Sequence, residues 1–464
     1  MPSSRTVPPM CSLSSAMGDS VRNAVIARAG WGFAGWVFAG RSFAGRDFLG
    51  RGFVGCALAA CIVASACTSA SDPPDTEVRI IVEDGVTIVE NPGLHIADST
   101  AWRMDTADVV RIGVVEGAPE YMIGRLAGML RRPDGTILVA DAIAHEIRVF
   151  DERGRFVRKV GRAGEGPGEY GMLYSLYARG DSMAVLDNEG SRITMLGPDL
   201  EYSHRYRPRL LETSATGVMT SHSIRGFFAD GQILFSDYLN VCLEQRREGG
   251  FCADSSAYYR SDGASPADAS YGRFVSGRSE MFRRPGANVG IAEPHPQAFT
   301  AMHGDRFYYA DAERFEVRVY GPDGSLERVI RVAADPPNLS RSELFPPMAA
   351  APDGDERVRL AREHLAEVQR TMRLPDTQPF FSDMVVDEGG RIWLREFTRV
   401  GMPRWFIFDT DGRLRWTLRS PPAMVRQPVP WARANLQIGE DFILAAERDE
   451  YGVESVVLFR LLKH

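Results

Sequence analysis

Asp134–Asp141 reads DGTILVAD, and Glu146–Gly154 beyond it reads EIRVFDERG. A turn residue pair opens a short strand-type run that ends in an acid. A second strand-type run then closes on a second turn. The first half recurs as DSMAVLD (Asp181–Asp187), DGQILFSD (Asp230–Asp237), GDRFYYAD (Gly304–Asp311), GGRIWLRE (Gly389–Glu396) and GEDFILAAE (Gly439–Glu447). The second half recurs as RITMLGPD (Arg192–Asp199), VRVYGPDG (Val317–Gly324) and WFIFDTDG (Trp405–Gly412). A unit of short strands and turns cannot bury its apolar face alone. It buries that face by stacking on its neighbours, and six such units imply a closed ring.

The 464 residues carry a formal net charge of −7, with arginines scattered among acids. No basic face is concentrated enough to mark a nucleic-acid partner. Gly52–Ala66 is a short apolar run preceded by Arg41, Arg46 and Arg51, and it gives way to TSASDPPDT. This is the layout of a secretory signal, too short for a comfortable membrane span. Ala64-Ser65-Ala66-Cys67 resembles a bacterial lipobox, which makes Cys67 the expected lipid-attachment residue and residues 67–77 a tether. Leu58-Ala59-Ala60-Cys61 matches in its letters but leaves a shorter apolar core, and an ordinary signal peptide with incidental cysteines stays open. Thr68 follows Cys67, which by lipoprotein sorting rules favours an outer-membrane destination. Upstream, phenylalanines at 33, 38, 43, 48 and 53 mark a low-complexity leader, and the true start could be Met17 or later. Residues 1–66 are thus read as leader and signal.

Residues 78–464 are expected to form the ring. Val78–Ile81 and Val86–Glu90 flank Asp84-Gly85, a hairpin signal. The units run over Ile123–Gly161, Leu173–Pro208, Ser221–Phe274, Ala298–Val332, Phe381–Leu418 and Ala434–Leu462. The spacings from Asp230 to Gly304 and from Gly304 to Gly389 are stretched, so two insertions are expected. One follows the opening strand of unit three and holds Cys242 and Cys252 around Gly249-Gly250. These two cysteines are read as facing each other across a hairpin in a disulfide, with buried free thiols as the other reading. The other insertion, residues 338–377, is expected to be helical. Ser340 and Glu343 suit a capping box, and Val358, Ala361, Leu365, Val368 and Met372 fall on one helical face. Because the last unit ends just before His464, a strand near the N-terminus, Val109–Val115, is expected to complete it.

By the segment Asp134–Gly154 the chain resembles NHL-type β-propeller repeats. Through Gly85–Pro92, Ile123-Gly124 and Gly161–Tyr170 (GRAGEGPGEY) it resembles six-bladed propeller lipoproteins of bacterial envelopes. The resemblance implies an all-β six-bladed propeller with a helical insertion between blades four and five. It implies little about activity, since propellers host binding, scaffolding and catalysis alike.

The recurrent acids Asp141, Asp187, Asp237, Asp311, Glu396 and Glu447 most simply cap strand ends by accepting backbone N–H groups. A metal or cationic ligand on the axis would need several of them to converge. Gly161–Tyr170 lacks the Gly-Lys-Ser/Thr ending of a phosphate loop and suits a tight crossover between blades, from which Arg162 and Glu165 are the candidate ligand contacts. The histidines show no paired metal-ligand spacing, and no Gly-x-Ser-x-Gly elbow or Cys/His nucleophile pair is present. Trp393, Trp405 and Trp416 are read as packing between blades. No catalytic residue, metal ligand or cofactor is assigned. The expectation is a membrane-anchored binding or scaffolding module for a protein, peptide or glycan. The alternative is a metal-dependent enzyme of lactone-hydrolase or amide-lyase type at the central channel.

Overall fold

Ile137–Asp141, the strand inside the quoted stretch, is buried at all five positions, and its alternation explains why. Successive side chains of a strand point to opposite faces. Ile137 and Val139 pack with Phe442, Leu444 and Val456 on one side, whereas Leu138 and Ala140 pack with Tyr170, Leu176 and Val185 on the other. Each face therefore meets a different neighbouring sheet. That double burial produces the near-continuous apolar run.

The computed structural model describes residues 77–463 apart from 188–191, 210–219, 240–241, 243–249, 265–266, 283–288, 292–293, 340–362, 364–365, 367–369, 399–400, 422–435 and 450–451. The fold is a β-propeller of six blades. Blade 1 is the antiparallel meander Leu126–Arg131, Ile137–Asp141, Glu146–Phe150 and Phe156–Val160. Blade 2 repeats it with Leu173–Arg179, Ser182–Asp187, Arg192–Leu196 and Tyr202–Tyr206. Blade 4 does so with Ala298–His303, Arg306–Asp311, Glu316–Tyr320 and Leu326–Val332, and blade 5 with Phe381–Val386, Ile392–Glu396, Arg404–Phe408 and Leu414–Arg419.

Blade 3 is larger than the sequence suggests. Thr220–Phe227 and Ile233–Leu239 are followed by the long strands Gly250–Ser261 and Ala269–Phe282 and a fifth, Val289–Ile291. The cysteine-bearing insertion follows the second strand, not the opening one. The reason is general: the repeated turn-strand-acid unit is the second strand of every blade, and the first strand precedes its turn.

Six hydrophobic clusters fill the six interfaces between neighbouring blades. The ring is therefore continuous. Its closure uses the N-terminal segment. Ala101–Ile112 runs antiparallel to Glu454–Leu462 as the outermost strand of blade 6, with Ile112 opposite Val456 and Val110 opposite Leu458. The expected closing strand is thus confirmed at Val109–Ile112 but begins earlier. It stops before Gly113, whose φ of +129° leaves the strand conformation and where a Cβ would collide with the Glu454 carbonyl. The start of the same strand pairs parallel with Leu414–Arg419, through Ala101 and Trp102, so it bridges blades 5 and 6.

The expected hairpin forms as Arg79–Glu83 and Val86–Asn91 around Asp84 and Gly85, both at positive φ. It extends blade 4 through a parallel pairing with Leu326–Val332. Asn91 ends it. Its amide donates to the Arg331 and Gly412 carbonyls, and its oxygen accepts from the Leu414 amide, tying blade 4 to blade 5. The helix expected within residues 338–377 falls largely outside the described residues, and no α-helix stands among the described elements. What is described there is an Asn338–Thr377 bridge joining the two ends and a buried Met372.

Candidate functional site: the central channel

In each four-stranded meander the first strand is innermost. Its C-terminal end carries the turn into the second strand, so these turns share one face of the ring. Crossovers between blades, and links from second to third strands, share the opposite face. Two adjoining cavities of about 210 and 290 Å³ lie at the centre, with Tyr177, Met302, Val385, Val386 and Leu436 common to both walls. Met129 and Leu130, Leu176, Arg225, Thr300, Met384 and Gln437 complete a lining drawn from all six innermost strands. Most of these positions lie in the C-terminal halves of their strands. The channel cavity therefore opens towards the turn face.

Its wall combines aliphatic, thioether and aromatic side chains with four polar ones, Arg225, Thr300, Glu388 and Gln437. The Arg225 guanidinium donates to the Ser236 hydroxyl at 2.6 Å. Gln437 hydrogen-bonds both ways to the Arg131 peptide, at 2.6 and 2.9 Å, stitching blade 6 to blade 1 as a strand neighbour would. Its amide also donates to the Glu388 carboxylate at 2.6 Å. The exposed wall is divided about evenly between polar and apolar surface, and a concave site that combines apolar side chains with fixed polar groups is the chemistry of a binding pocket. None of these lining residues was singled out from sequence. The innermost strands, such as LAGMLR and LYSLYAR, lack the terminal acid that marks the second strands.

The six recurrent acids lie on the crossover face, at or near the ends of second strands, and none of them lines the cavity. Each has an arginine: Asp141 with Arg148 at 3.1 Å, Asp187 with Arg192, and Asp237 with Arg273 at 3.3 Å. Asp311 takes both guanidinium nitrogens of Arg278 at 2.8 Å, Glu396 pairs with Arg404 at 3.0 Å and Glu447 with Arg111 at 2.7 Å. Asp141 also accepts the backbone N–H groups of Gly124, Arg125, Ile143 and Ala144. Asp187 likewise holds the amides of Gly171 and Met172. Asp141 and Asp187 thus hold the crossovers that lead into blades 1 and 2. Among the described residues, no three His, Cys, Asp or Glu side chains come together as a metal site.

Arg162 and Glu165 sit in the crossover from blade 1 to blade 2, at the far end of the innermost strands from the cavity. Arg162 pairs with Glu169 at 2.8 Å and Glu165 with Arg192. A ligand there would have to compete with both pairs. Cys242 and Cys252 lie at disulfide geometry, their Cα atoms 5.4 Å apart. Cys67 falls outside the described residues. Trp393 and Trp405 are buried between blades 5 and 6, their indole N–H groups bonded to Asp387 and Ser420, and Trp416 packs on Trp102.

A family model described as a six-bladed β-propeller, DUF5128, matches residues 120–206, which hold blades 1 and 2. The molecule is a six-bladed β-propeller. Solved structures similar to it include a protein described as exported, from Bacteroides fragilis, at 13% identity over 79% of this chain and 99% of that one, with a TM-score of 0.37. Regucalcin, a calcium-binding protein from Agrobacterium tumefaciens, gives 13% identity over 79% and 97%, with a TM-score of 0.33. A gluconolactonase from Xanthomonas campestris gives 15% over 78% and 97%, with a TM-score of 0.32. No curated protein matches the chain. These likenesses carry no chemistry over to it.

Proposed function

We propose that the protein is an exported, lipid-anchored propeller whose turn-face channel mouth binds an envelope partner by taking up an apolar side chain of a peptide or protein segment. The observation that carries this reading is the channel wall. Tyr177, Met302, Val385 and Leu436 offer apolar contact, while Arg225, Glu388 and Gln437 supply a few polar fixing points. That mixture suits a peptide segment, whose side chain meets the apolar residues while its backbone amides meet the polar groups. The anchor is assigned to Cys67, which would hold the ring at the membrane through residues 68–77.

Selection of displayed random peptides on the folded protein tests the binding reading. Peptides with a central apolar residue should be enriched on the wild-type chain and lost on Ala178→Trp, which fills the cavity from an exposed lining position. Equal enrichment on both would refute the channel as the site. Mass spectrometry of the mature N-terminus tests the anchor: a diacylated Cys67 is expected, and a free N-terminus at Thr68 or beyond would exclude it.

A further inference from the structure

The sheet of blade 4 ends on Arg79–Glu83, and among the described residues no strand pairs with the outer edge of this one. A bare strand edge invites pairing unless charges or twists discourage it. The outermost strand of blade 1 has Arg158 and Lys159 in its middle, and that of blade 2 has His204 and Arg205. The outer edges of blades 5 and 6 are taken up by Ala101–Ile112. Arg79–Glu83, RIIVE, has no such protection. Three β-branched residues occupy its centre, and Ile80 and Val82 are 47% and 67% exposed. Its charges stand only at the two ends, and they are opposite in sign.

The hairpin fixes which backbone groups face outwards. Glu83 lies opposite Val86 across a two-residue turn, so Glu83, Ile81 and Arg79 bond inwards to Val86–Asn91. The N–H and C=O groups of Ile80 and Val82 then point to the open edge. A second Arg79–Glu83 laid antiparallel, with Ile81 on the two-fold axis, satisfies those groups symmetrically. Ile80 faces Val82 of the second copy, and Arg79 faces its Glu83. The sequence is complementary to itself in this register and in no register shifted by one residue. Arg79 also lies 3.7 Å from Glu90 of its own hairpin, and its guanidinium has donors for both carboxylates.

We propose that Arg79–Glu83 is the interface of a symmetric homodimer, in which the blade 4 sheets of two molecules join edge to edge. Analytical ultracentrifugation of the full chain should find a dimer. Arg79→Glu alone and Glu83→Arg alone should each be monomeric, because each places like charges opposite one another. An equimolar mixture of the two variants should dimerise again, since every facing pair is then opposite in charge. Val82→Lys should abolish the dimer and melt at the Tm of wild type diluted to its monomer. A wild-type chain still monomeric at about 1 mM would overturn the proposal. So would a dimer that survives both charge variants, or a mixture that stays monomeric.

Discussion

Ile112 lies opposite Val456, at the end of the ladder that joins the N-terminal closing strand to the last strand of the ring. Ile112 also packs with Met129 and Phe150 of blade 1, so the closing strand seals the interface between blades 6 and 1 as well. Without it, Glu454–Leu462 becomes a bare edge with a buried face turned to water. A chain starting at about Gly124 is therefore expected to be insoluble or oligomeric, whereas one starting at about Thr76 stays soluble. Equal solubility and equal melting of the two would show that the strand is an appendage.

Removing a strand-end acid tests what the six acids do. Asp141 is buried with Arg148, and Asp141→Ala removes that ion pair, leaving Arg148 with the Glu146 carboxylate and the Met122 carbonyl, and strands four backbone N–H groups. Loss of one partner of a buried pair costs about 3–5 kcal/mol. Chemical denaturation should show a drop of that size. A drop below about 1 kcal/mol would mean that the carboxylate is not structural.

Two buried titrating groups at the blade 3–4 boundary set a pH dependence. Burial pushes the Glu280 carboxyl above its ordinary value, with Arg373 opposing, and Glu280 Oε2 has no hydrogen-bond partner among the described residues. A raised folded pKa means that the relative stability is full below the unfolded pKa and lost as pH rises through the folded one. Ionised Glu280 thus costs stability at neutral pH, and Glu280→Gln should raise Tm at pH 7, with the gain vanishing in acid. Burial and the charges of Arg278 and Arg373 depress His295, whose ring lies against Phe251. Its contribution is present above the ordinary histidine value of 6.5 and lost as pH falls through the folded pKa. Melting curves across pH 4–8 check both signs, and a Tm for Glu280→Gln below wild type at pH 7 would contradict the first.

Cys242 and Cys252 span a sequence separation of 10, and a cross-link there is worth about 2–3 kcal/mol by loop-closure entropy. Both should resist alkylation until reduced, and reduction should lower stability by about that amount. Ready labelling of both without reductant would show free thiols.

The second strands were legible because burial on both faces and a terminal acid leave a mark in a short window, as in Ile137–Asp141. The closing strand was legible from an accounting argument, since the last unit lacked an outer strand. The innermost strands were not legible. Leu173–Arg179 alternates weakly because its side chains meet two neighbouring blades and an open channel at once, and no local signal separates those environments. Two of the arginines that hold the acids, Arg278 and Arg111, were hidden for another reason. Arg278 reaches Asp311 from the preceding blade, and Arg111 reaches Glu447 from the far end of the chain. Such partners are set by topology, not by spacing.

The channel is the account's central claim, and the affinity of a selected peptide for three proteins tests it most directly. Calorimetric titration into wild type, Ala178→Trp and Arg162→Ala should give binding that falls at least about tenfold, or about 1.4 kcal/mol, only when the cavity is filled. Binding that survives Ala178→Trp but is lost in Arg162→Ala would contradict the account and move the site to the opposite face of the ring, where Arg162 and Glu165 lie.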